Sequence, residues 1–146
     1  MAARLEGRSL GLDELTQAGR GWLARTDADL RLIEGVGGLM SPIAEAATGL
    51  DLMLALELPA ILVGGAYLGG MSHTLTALEV LRARALEVRA VVVSQPPDAD
   101  APDFAESVAM VRSFAGSVPV LAAPRGAPGG WAEALLDLAV GSEPVA

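Results

Sequence analysis

A single acidic residue followed by a cluster of glycines is the segment of this chain with the most chemical content. Glu34-Gly35-Val36-Gly37-Gly38 directly follows residues 30–33, which are apolar except for Arg31. A carboxylate at the carboxyl end of a buried strand can hold Mg²⁺ directly or through water, and glycines let the backbone approach a ligand closely. An exposed glutamate in an ordinary glycine-rich turn would leave the same pattern. On the first interpretation, Glu34 is the metal-binding carboxylate of a nucleotide site.

The positive charge that a nucleotide site requires cannot come from lysine, because this chain has none. All ten basic residues are arginines, which excludes a Schiff base, a lysine base and a phosphate-loop lysine. In a phosphate loop, a glycine-rich segment ending in Lys-Ser or Lys-Thr neutralises the phosphates with its ammonium and its backbone N–H groups. We therefore expect the phosphate anchor to lie outside these 146 residues.

A second glycine-rich segment, residues 64–73, joins an apolar strand to a helix for which Ser72 has the residue type of an N-cap. Gly69 and Gly70 lie within it. Ligands of open α/β sheets bind where strands end, and free N–H groups at a helix start favour a carboxylate or phosphate. A tight connection with a serine cap would need no ligand. His73, the sole histidine, falls in the first turn, where imidazolium is disfavoured, so its alternatives are a neutral hydrogen-bonding role and a purely structural one.

Three further polar or turn residues fall on the same predicted edge of the sheet. Ser94 ends the third predicted strand, and Pro124-Arg125 follows the fourth. A nucleotide base could bind at this edge. Ordinary loop chemistry is the alternative explanation for all three.

The predicted elements alternate between apolar strands and helices of about a dozen residues. The predicted strands cover residues 30–33, 59–63, 88–93 and 118–121, and the predicted helices cover 9–24, 48–56, 73–85, 103–114 and 131–140. Loops are expected at Ser41-Pro42, at 95–102 and at 123–130. Such alternation implies βαβ crossovers. We therefore predict one α/β domain over residues 1–146, with a parallel sheet of about four strands and helices on both faces.

The composition limits the class of partner. An apolar content of 52% is enough for one sizeable core. A net charge of −8 and only 3% aromatic residues argue against nucleic acid or an anionic membrane as partner. The absence of cysteine excludes disulfides, thiolate metal sites and thiol catalysis. No apolar stretch approaches the roughly 20 residues of a membrane span, and residues 1–8 do not form a secretory signal, so a cytoplasmic protein is expected.

Taken together, these segments resemble dethiobiotin synthetase, the ATP-dependent ring-closing ligase of biotin synthesis. Residues 33–38 are similar to the family's V-E-G-A-G-G, residues 58–63 to its L-P-V-I-L-V strand, and residues 68–75 to its L-G-x-I-N-H-x-L. The order and spacing of these motifs together are specific. The resemblance covers nearly the whole chain but only the C-terminal two-thirds of the family pattern, so it implies an incomplete P-loop NTPase-like, Rossmann-type layer without the phosphate loop.

The resemblance implies a reaction in which CO₂ carbamates 7,8-diaminononanoate, ATP with Mg²⁺ phosphorylates the carbamate, and the second amine closes the ureido ring. It makes Glu34 the metal ligand and places the backbone of Gly37 and Gly38 at the reacting end of the substrate. It assigns substrate binding, with the carboxylate tail held across a dimer interface, to Ser41, Gly69, Ser72 and His73. It assigns nucleotide binding to Ser94, Pro124 and Arg125. The implied partner is a second copy of the chain, or a chain that supplies the phosphate loop.

This sequence departs from the family pattern in two side chains and in lacking the N-terminal part that carries the phosphate loop. Ser72 stands where the family has Asn before His. Ser94 stands where the family has an Asn that binds adenine, so a single hydroxyl replaces an amide that can form two hydrogen bonds. Without the phosphate-loop strand, two apolar strand edges lack their partner, so the chain needs one unless these strands pair directly. We expect no turnover by the chain alone. The alternatives to a part of dethiobiotin synthetase are a degenerate binding or regulatory module and another nucleotide-dependent amidoligase.

Overall fold

A computed structural model of the chain describes residues 6–7, 9–25, 27–127 and 129–141. Its residues cluster into two compact units, 1–58 and 59–146. The first unit contains α1 (Leu12–Leu23), β1 (Pro42–Ala44), β2 (Ala47–Thr48) and α2 (Gly49–Leu56). The second contains β3 (Ala60–Gly65), α3 (Gly70–Ala83), β4 (Val88–Ser94), α4 (Phe104–Phe114), β5 (Val120–Ala123) and α5 (Gly130–Val140). The single domain over residues 1–146 stays a prediction.

The sheet of the second unit is parallel and has the strand order β3-β4-β5. Helices α3 and α4 make the crossovers between successive strands, as the alternating pattern predicts. The α/β class with a parallel sheet is therefore confirmed, and the described part of the sheet contains three strands. Within this sheet β3 pairs only with β4, so its other edge has no strand partner there.

The core of the second unit lies on both sides of β4. Val91 and Val93 pack in one buried cluster with Leu78 of α3 and with Val108 and Val111 of α4. Because side chains alternate across a strand, Ala90 and Val92 face the other way, and both are buried where α5 contacts β4 and β5. A strand covered on both faces requires the continuous apolar run that the sequence has here.

In the first unit, α2 begins with a capping box. Thr48 Oγ1 accepts a hydrogen bond from the Asp51 N–H (3.4 Å), and Asp51 Oδ2 accepts one from the Thr48 N–H (2.7 Å). The end of α2 contacts α1, where Arg20 Nη2 donates to the Ala55 carbonyl at 2.8 Å. The predicted loop at Ser41-Pro42 is partly wrong, since Pro42 begins β1, which pairs antiparallel with β2. None of the helices in the described residues is long and apolar enough to cross a membrane.

The predicted strand over residues 30–33 is wrong. These residues are irregular, and Leu30, Leu32 and Ile33 are 37%, 64% and 39% exposed. A strand needs a neighbour whose N–H and C=O groups complete its ladder, and no described residue supplies one here. The three apolar residues of this segment, interrupted by Arg31, could not predict that partner. Glu34 therefore follows an irregular segment rather than a buried strand.

Replacing Gly21 with Ala should raise the free energy of unfolding by about 0.5–1 kcal/mol, because glycine weakens a helix interior. Gly21 lies in α1, is exposed, and has no atom within 4 Å of the position that a Cβ would take. Gly19 in the same helix is the matched control, since its Cβ would lie 3.2 Å from Leu56 Cδ2. Urea unfolding of both variants tests this, and an equal gain at Gly19 would contradict the close approach of α1 to α2.

Candidate functional site

The carboxyl ends of the three parallel strands meet at one edge of the sheet in the second unit. Gly65 of β3 pairs in register with Ser94 of β4, which pairs with Ala123 of β5. We call these residues, with the segments that directly follow them, the rim. The segment after β3 is tied to the rim because the Ala66 N–H donates to the Ser94 carbonyl at 3.1 Å. Ligands of open α/β sheets bind at this end of the strands.

A cleft of about 280 Å³ opens at the rim, lined by Val63, Gly64, Gly65, Tyr67, Ser94 and Pro96. Ligand pockets usually measure about 300–1,000 Å³, so this one takes a single ring or headgroup rather than a whole nucleotide. Tyr67 and Pro96 supply apolar walls, and Ser94 supplies a hydroxyl. Sequence reasoning included Ser94 but missed Tyr67 and Pro96. Their positions directly after two strand ends were the available signal.

Helix α3 begins two residues before the predicted cap. Its N-cap is Gly69, which has φ +84°, and the helix starts at Gly70, so Ser72 is the third helical residue and not the N-cap. The prediction of Ser72 as cap is wrong because a glycine takes the left-handed conformation that this turn requires. The N–H groups of Met71 and Ser72 form no backbone hydrogen bond with described residues. These groups remain available to an anion, as at other helix starts.

Two glycines let α3 pack directly on the backbone of β3. A Cβ on Gly70 would overlap the Gly65 carbonyl oxygen, and a Cβ on Gly64 would overlap Thr74 Oγ1. Thr74 is buried, and its hydroxyl donates to the Gly70 carbonyl at 2.8 Å. The glycines at the end of β3 and the start of α3 therefore have a packing role, independent of any ligand.

His73 and Tyr67 form an aromatic pair beside the cleft. Their ring centroids lie 6.3 Å apart with an interplanar angle of 60°, an edge-to-face arrangement. The His73 N–H donates to the Gly69 carbonyl at 3.1 Å, so His73 belongs to the first turn of α3 as predicted. Gly69, Ser72 and His73 are all exposed. The structure thus brings these three predicted residues together in one accessible turn.

Ser94, Pro124 and Arg125 also come together. Pro124 follows Ala123, the register partner of Ser94. The Gln95 N–H donates to the Ala123 carbonyl at 3.0 Å, and the Gln95 side-chain oxygen accepts from the Arg125 N–H at 3.0 Å. Sequence reasoning missed Gln95, although its place directly after a strand end was a usable signal.

Arg125 places a guanidinium at the rim that is not paired with a described carboxylate or carbonyl. The guanidinium groups of six other described arginines bond to carbonyls or carboxylates: Arg20, Arg25, Arg31, Arg82, Arg89 and Arg112. Arg84 lies at the far end of α3, before β4 begins. Within the described part of the second unit, Arg125 is thus the arginine at the carboxyl ends of the strands, and its guanidinium has no partner among those residues.

Arg25 and Arg31 form ion pairs within the first unit. Both bind Asp27, with N···O distances of 2.8 and 2.6 Å. The Arg31 guanidinium, followed by that of Arg25, holds the pKa of the Asp27 carboxyl below its ordinary value. These two arginines therefore compensate a local carboxylate in the first unit.

Glu34 lies in the first unit, in the irregular segment between α1 and β1. The segment is exposed throughout residues 34–38, and Val36 is 85% exposed. The Glu34 carboxylate forms no hydrogen bond or ion pair with a described residue. A Cβ on Gly35 or Gly38 would meet no atom within 4 Å, so the backbone here is open to an approaching group.

Residues 34–38 are connected to the start of α2 by hydrogen bonds through Ser41. Gly37 has φ +80°, and a Cβ there would overlap Ser41 Oγ. The Ser41 N–H donates to the Gly38 carbonyl at 2.9 Å, and the Ser41 carbonyl accepts from the Gly49 N–H at 3.0 Å. The structure therefore brings Gly37, Gly38 and Ser41 together, while Glu34 stands at the open end of the turn.

The Glu34 carboxylate suits a metal ion that is also bound by the phosphates of a ligand. Among the described residues, no group of three or more His, Cys, Asp or Glu side chains could hold a metal ion. Mg²⁺ is typically bound by one or two carboxylates together with waters and substrate phosphates. A single exposed carboxylate such as Glu34 fits Mg²⁺ carried by a nucleotide, and does not fit a metal held by the protein alone.

Comparison with known proteins extends the motif resemblance. A family model described as an AAA domain matches residues 1–124. The chain is similar to the ATP-dependent dethiobiotin synthetase BioD of Phenylobacterium zucineum, with 62% identity over 136 residues that cover 93% of this chain and 58% of the relative. The protein of the same name from Caulobacter vibrioides is 52% identical over 139 residues, which cover 94% of this chain and 62% of the relative. The one from Methylobacterium nodulans is 46% identical over 143 residues, which cover 94% and 60%.

The chain spans only 58–62% of the length of these three relatives. The resemblance to dethiobiotin synthetases that the motifs predict is confirmed.

Proposed function

Because this chain belongs to the AAA domain family and its curated relatives are dethiobiotin synthetases, we propose that it forms part of an ATP- and Mg²⁺-dependent dethiobiotin synthetase. In the proposed reaction, one amine of 7,8-diaminononanoate takes up CO₂ as a carbamate. ATP phosphorylates the carbamate, and the second amine attacks its carbon and expels phosphate to close the ureido ring. Since the chain spans 58–62% of the relatives, the activity is proposed for the whole protein.

The observation that carries the proposal is the arrangement of the rim. Ser94 lines the cleft, and the β4–β5 register with the Gln95 hydrogen bonds brings Pro124 and Arg125 beside it. A hydroxyl can read one polar group of a base, and a guanidinium binds phosphate oxygens well. In a chain with a net charge of −8, an uncommitted guanidinium at the rim favours an anionic ligand. Ser94, Pro124 and Arg125 are the proposed nucleotide-binding residues.

Glu34 is the proposed ligand of Mg²⁺. Its carboxylate is exposed, and the neighbouring backbone is open at Gly35 and Gly38. Bound Mg²⁺ would neutralise charge on the transferred phosphoryl group. Gly37 and Gly38 are proposed to line the reacting end of the substrate, with Ser41 holding their turn in place.

The start of α3 is the proposed site for the carboxylate tail of 7,8-diaminononanoate. The available N–H groups of Met71 and Ser72 and the positive end of the helix dipole favour an anion. Gly69 and His73 belong to the same exposed turn. The family resemblance implies that this tail is held across a subunit interface, so the proposal includes a homodimer.

The proposal is tested with a completed protein, in which these 146 residues are joined to the segment of the Phenylobacterium zucineum relative that they do not cover. We expect it to form dethiobiotin from 7,8-diaminononanoate, bicarbonate, ATP and Mg²⁺, as measured by mass spectrometry. The 146 residues alone should give none, because a chain without lysine lacks most of the charge stabilisation for phosphoryl transfer.

The added segment alone and a reaction containing EDTA are the controls. Turnover by the 146 residues alone would refute the need for an external phosphate anchor. A folded completed protein that binds ATP without forming dethiobiotin would favour another amidoligase. A folded completed protein that binds no nucleotide would favour the degenerate module.

A further inference from the structure

Gln95 links the two segments of the rim that carry the proposed nucleotide-binding residues. It directly follows Ser94, and its N–H donates to the Ala123 carbonyl at 3.0 Å, which continues the β4–β5 ladder by one bond. Its side-chain oxygen accepts from the Arg125 N–H at 3.0 Å. Because Pro124 has no N–H, Arg125 offers the first backbone donor after β5. Gln95, which directly follows β4, therefore fixes the start of the segment that follows β5.

The bond to Arg125 holds a segment that otherwise depends on local turns. Beyond it, the Ala127 N–H reaches the Pro124 carbonyl only at 3.5 Å, and Trp131 Nε1 donates to the Ala127 carbonyl at 3.1 Å. Arg125 and Ala127 are exposed, so no burial of their own fixes this segment. Besides Trp131 of α5, Gln95 is the described side chain from outside residues 124–127 that bonds to their backbone, and it alone ties them to the end of β4.

We propose that Gln95 is a positioning residue for the nucleotide: it holds Pro124 and Arg125 beside Ser94 and thereby sets nucleotide affinity. The inference rests on the proposed function. An amide is suited to the task, because its oxygen accepts the Arg125 N–H while it adds no charge beside the guanidinium. A glutamate would accept the same hydrogen bond but would also place a negative charge near an anionic ligand.

Two variants of similar size should behave differently. Gln95→Met removes the acceptor and should raise the Kd and KM for ATP about 3- to 10-fold, the range expected for one neutral hydrogen bond, with kcat and Tm unchanged. Gln95→Glu keeps the acceptor. Its ATP affinity should fall below that of the wild type at low salt and approach it near 1 M salt, where screening acts within about 3 Å.

The position of residues 124–127 is monitored by the fluorescence of Trp131. A Trp22→Phe background leaves Trp131 as the one tryptophan of the 146-residue chain. Because Trp131 donates to Ala127, its exposure to acrylamide reports whether the segment is held. We expect increased quenching in Gln95→Met and wild-type quenching in Gln95→Glu. This readout does not depend on turnover.

The outcomes separate this inference from the proposed function. Wild-type ATP affinity in Gln95→Met overturns the inference and leaves the function standing, as does unchanged Trp131 quenching. A fall in kcat or Tm that accounts for the whole effect makes Gln95 merely structural. A completed wild-type protein that binds no ATP overturns both.

Discussion

Replacing Glu34 with Gln in the completed protein is expected to lower the rate of dethiobiotin formation by at least about 100-fold, the loss typical when one group that stabilises transition-state charge is removed. The amide keeps the size of the side chain but cannot supply the anionic oxygen that Mg²⁺ prefers. Folding should be unaffected, because the Glu34 carboxylate is exposed and has no partner among the described residues. Rates measured across a Mg²⁺ titration should show a raised metal requirement.

Glu79→Gln is the control for this substitution, because Glu79 is also exposed but lies on α3 in the second unit and has no proposed role at the site. It should retain the wild-type rate and metal dependence. Equal losses of rate and of unfolding free energy in Glu34→Gln would make Glu34 a structural residue. An unchanged rate would reject its proposed role at the metal.

Replacing Gly70 with Ala should cost about 2–3 kcal/mol of unfolding free energy, at the upper end of the usual cost of overpacking. The added methyl would overlap the Gly65 carbonyl oxygen. Since that atom is backbone within a paired strand, it cannot move aside as a flexible side chain would. For a chain of this size, the melting temperature should fall by roughly 5–10 °C.

Gly130→Ala is a closely matched control. Gly130 is also the first residue of a helix that follows a glycine N-cap, yet a Cβ there would meet no atom within 4 Å. Its substitution should be neutral or stabilising by a few tenths of a kcal/mol. Similar thermal unfolding of the two variants would contradict the close packing of α3 on β3.

The parallel strands could be predicted because each contains an apolar run that is visible in the local sequence. Residues 90–93 are a continuous apolar run rich in valine, which is typical of a strand covered on both faces. Residues 30–33 are interrupted by Arg31 and form no strand in the described structure. A strand also needs a ladder partner, and the residues of a segment do not by themselves show whether one is present.

The candidate site was predictable at the level of strand ends and not at the level of contacts. The places of Ser94 and Pro124 followed from the rule that ligands bind where parallel strands end. The start of α3 was misplaced because Ser72 has the chemistry of a cap, whereas a left-handed Gly69 provides the turn. The role of Gln95 depends on a hydrogen bond across 30 residues, which no local pattern contains.

The central place of β4 sets how the second unit fluctuates. Within the described sheet it alone has a strand on each side, and its residues 90–93 are buried on both faces. Segments with the most buried contacts open least often, whereas β3 and β5 can fray from their free sides. We therefore expect the amide protons of residues 90–93 to exchange most slowly in this unit, and Ser94 and Gln95 directly follow them. A base bound at the proposed site beside Ser94 would therefore contact the least mobile strand of the sheet, even where the surrounding loops move.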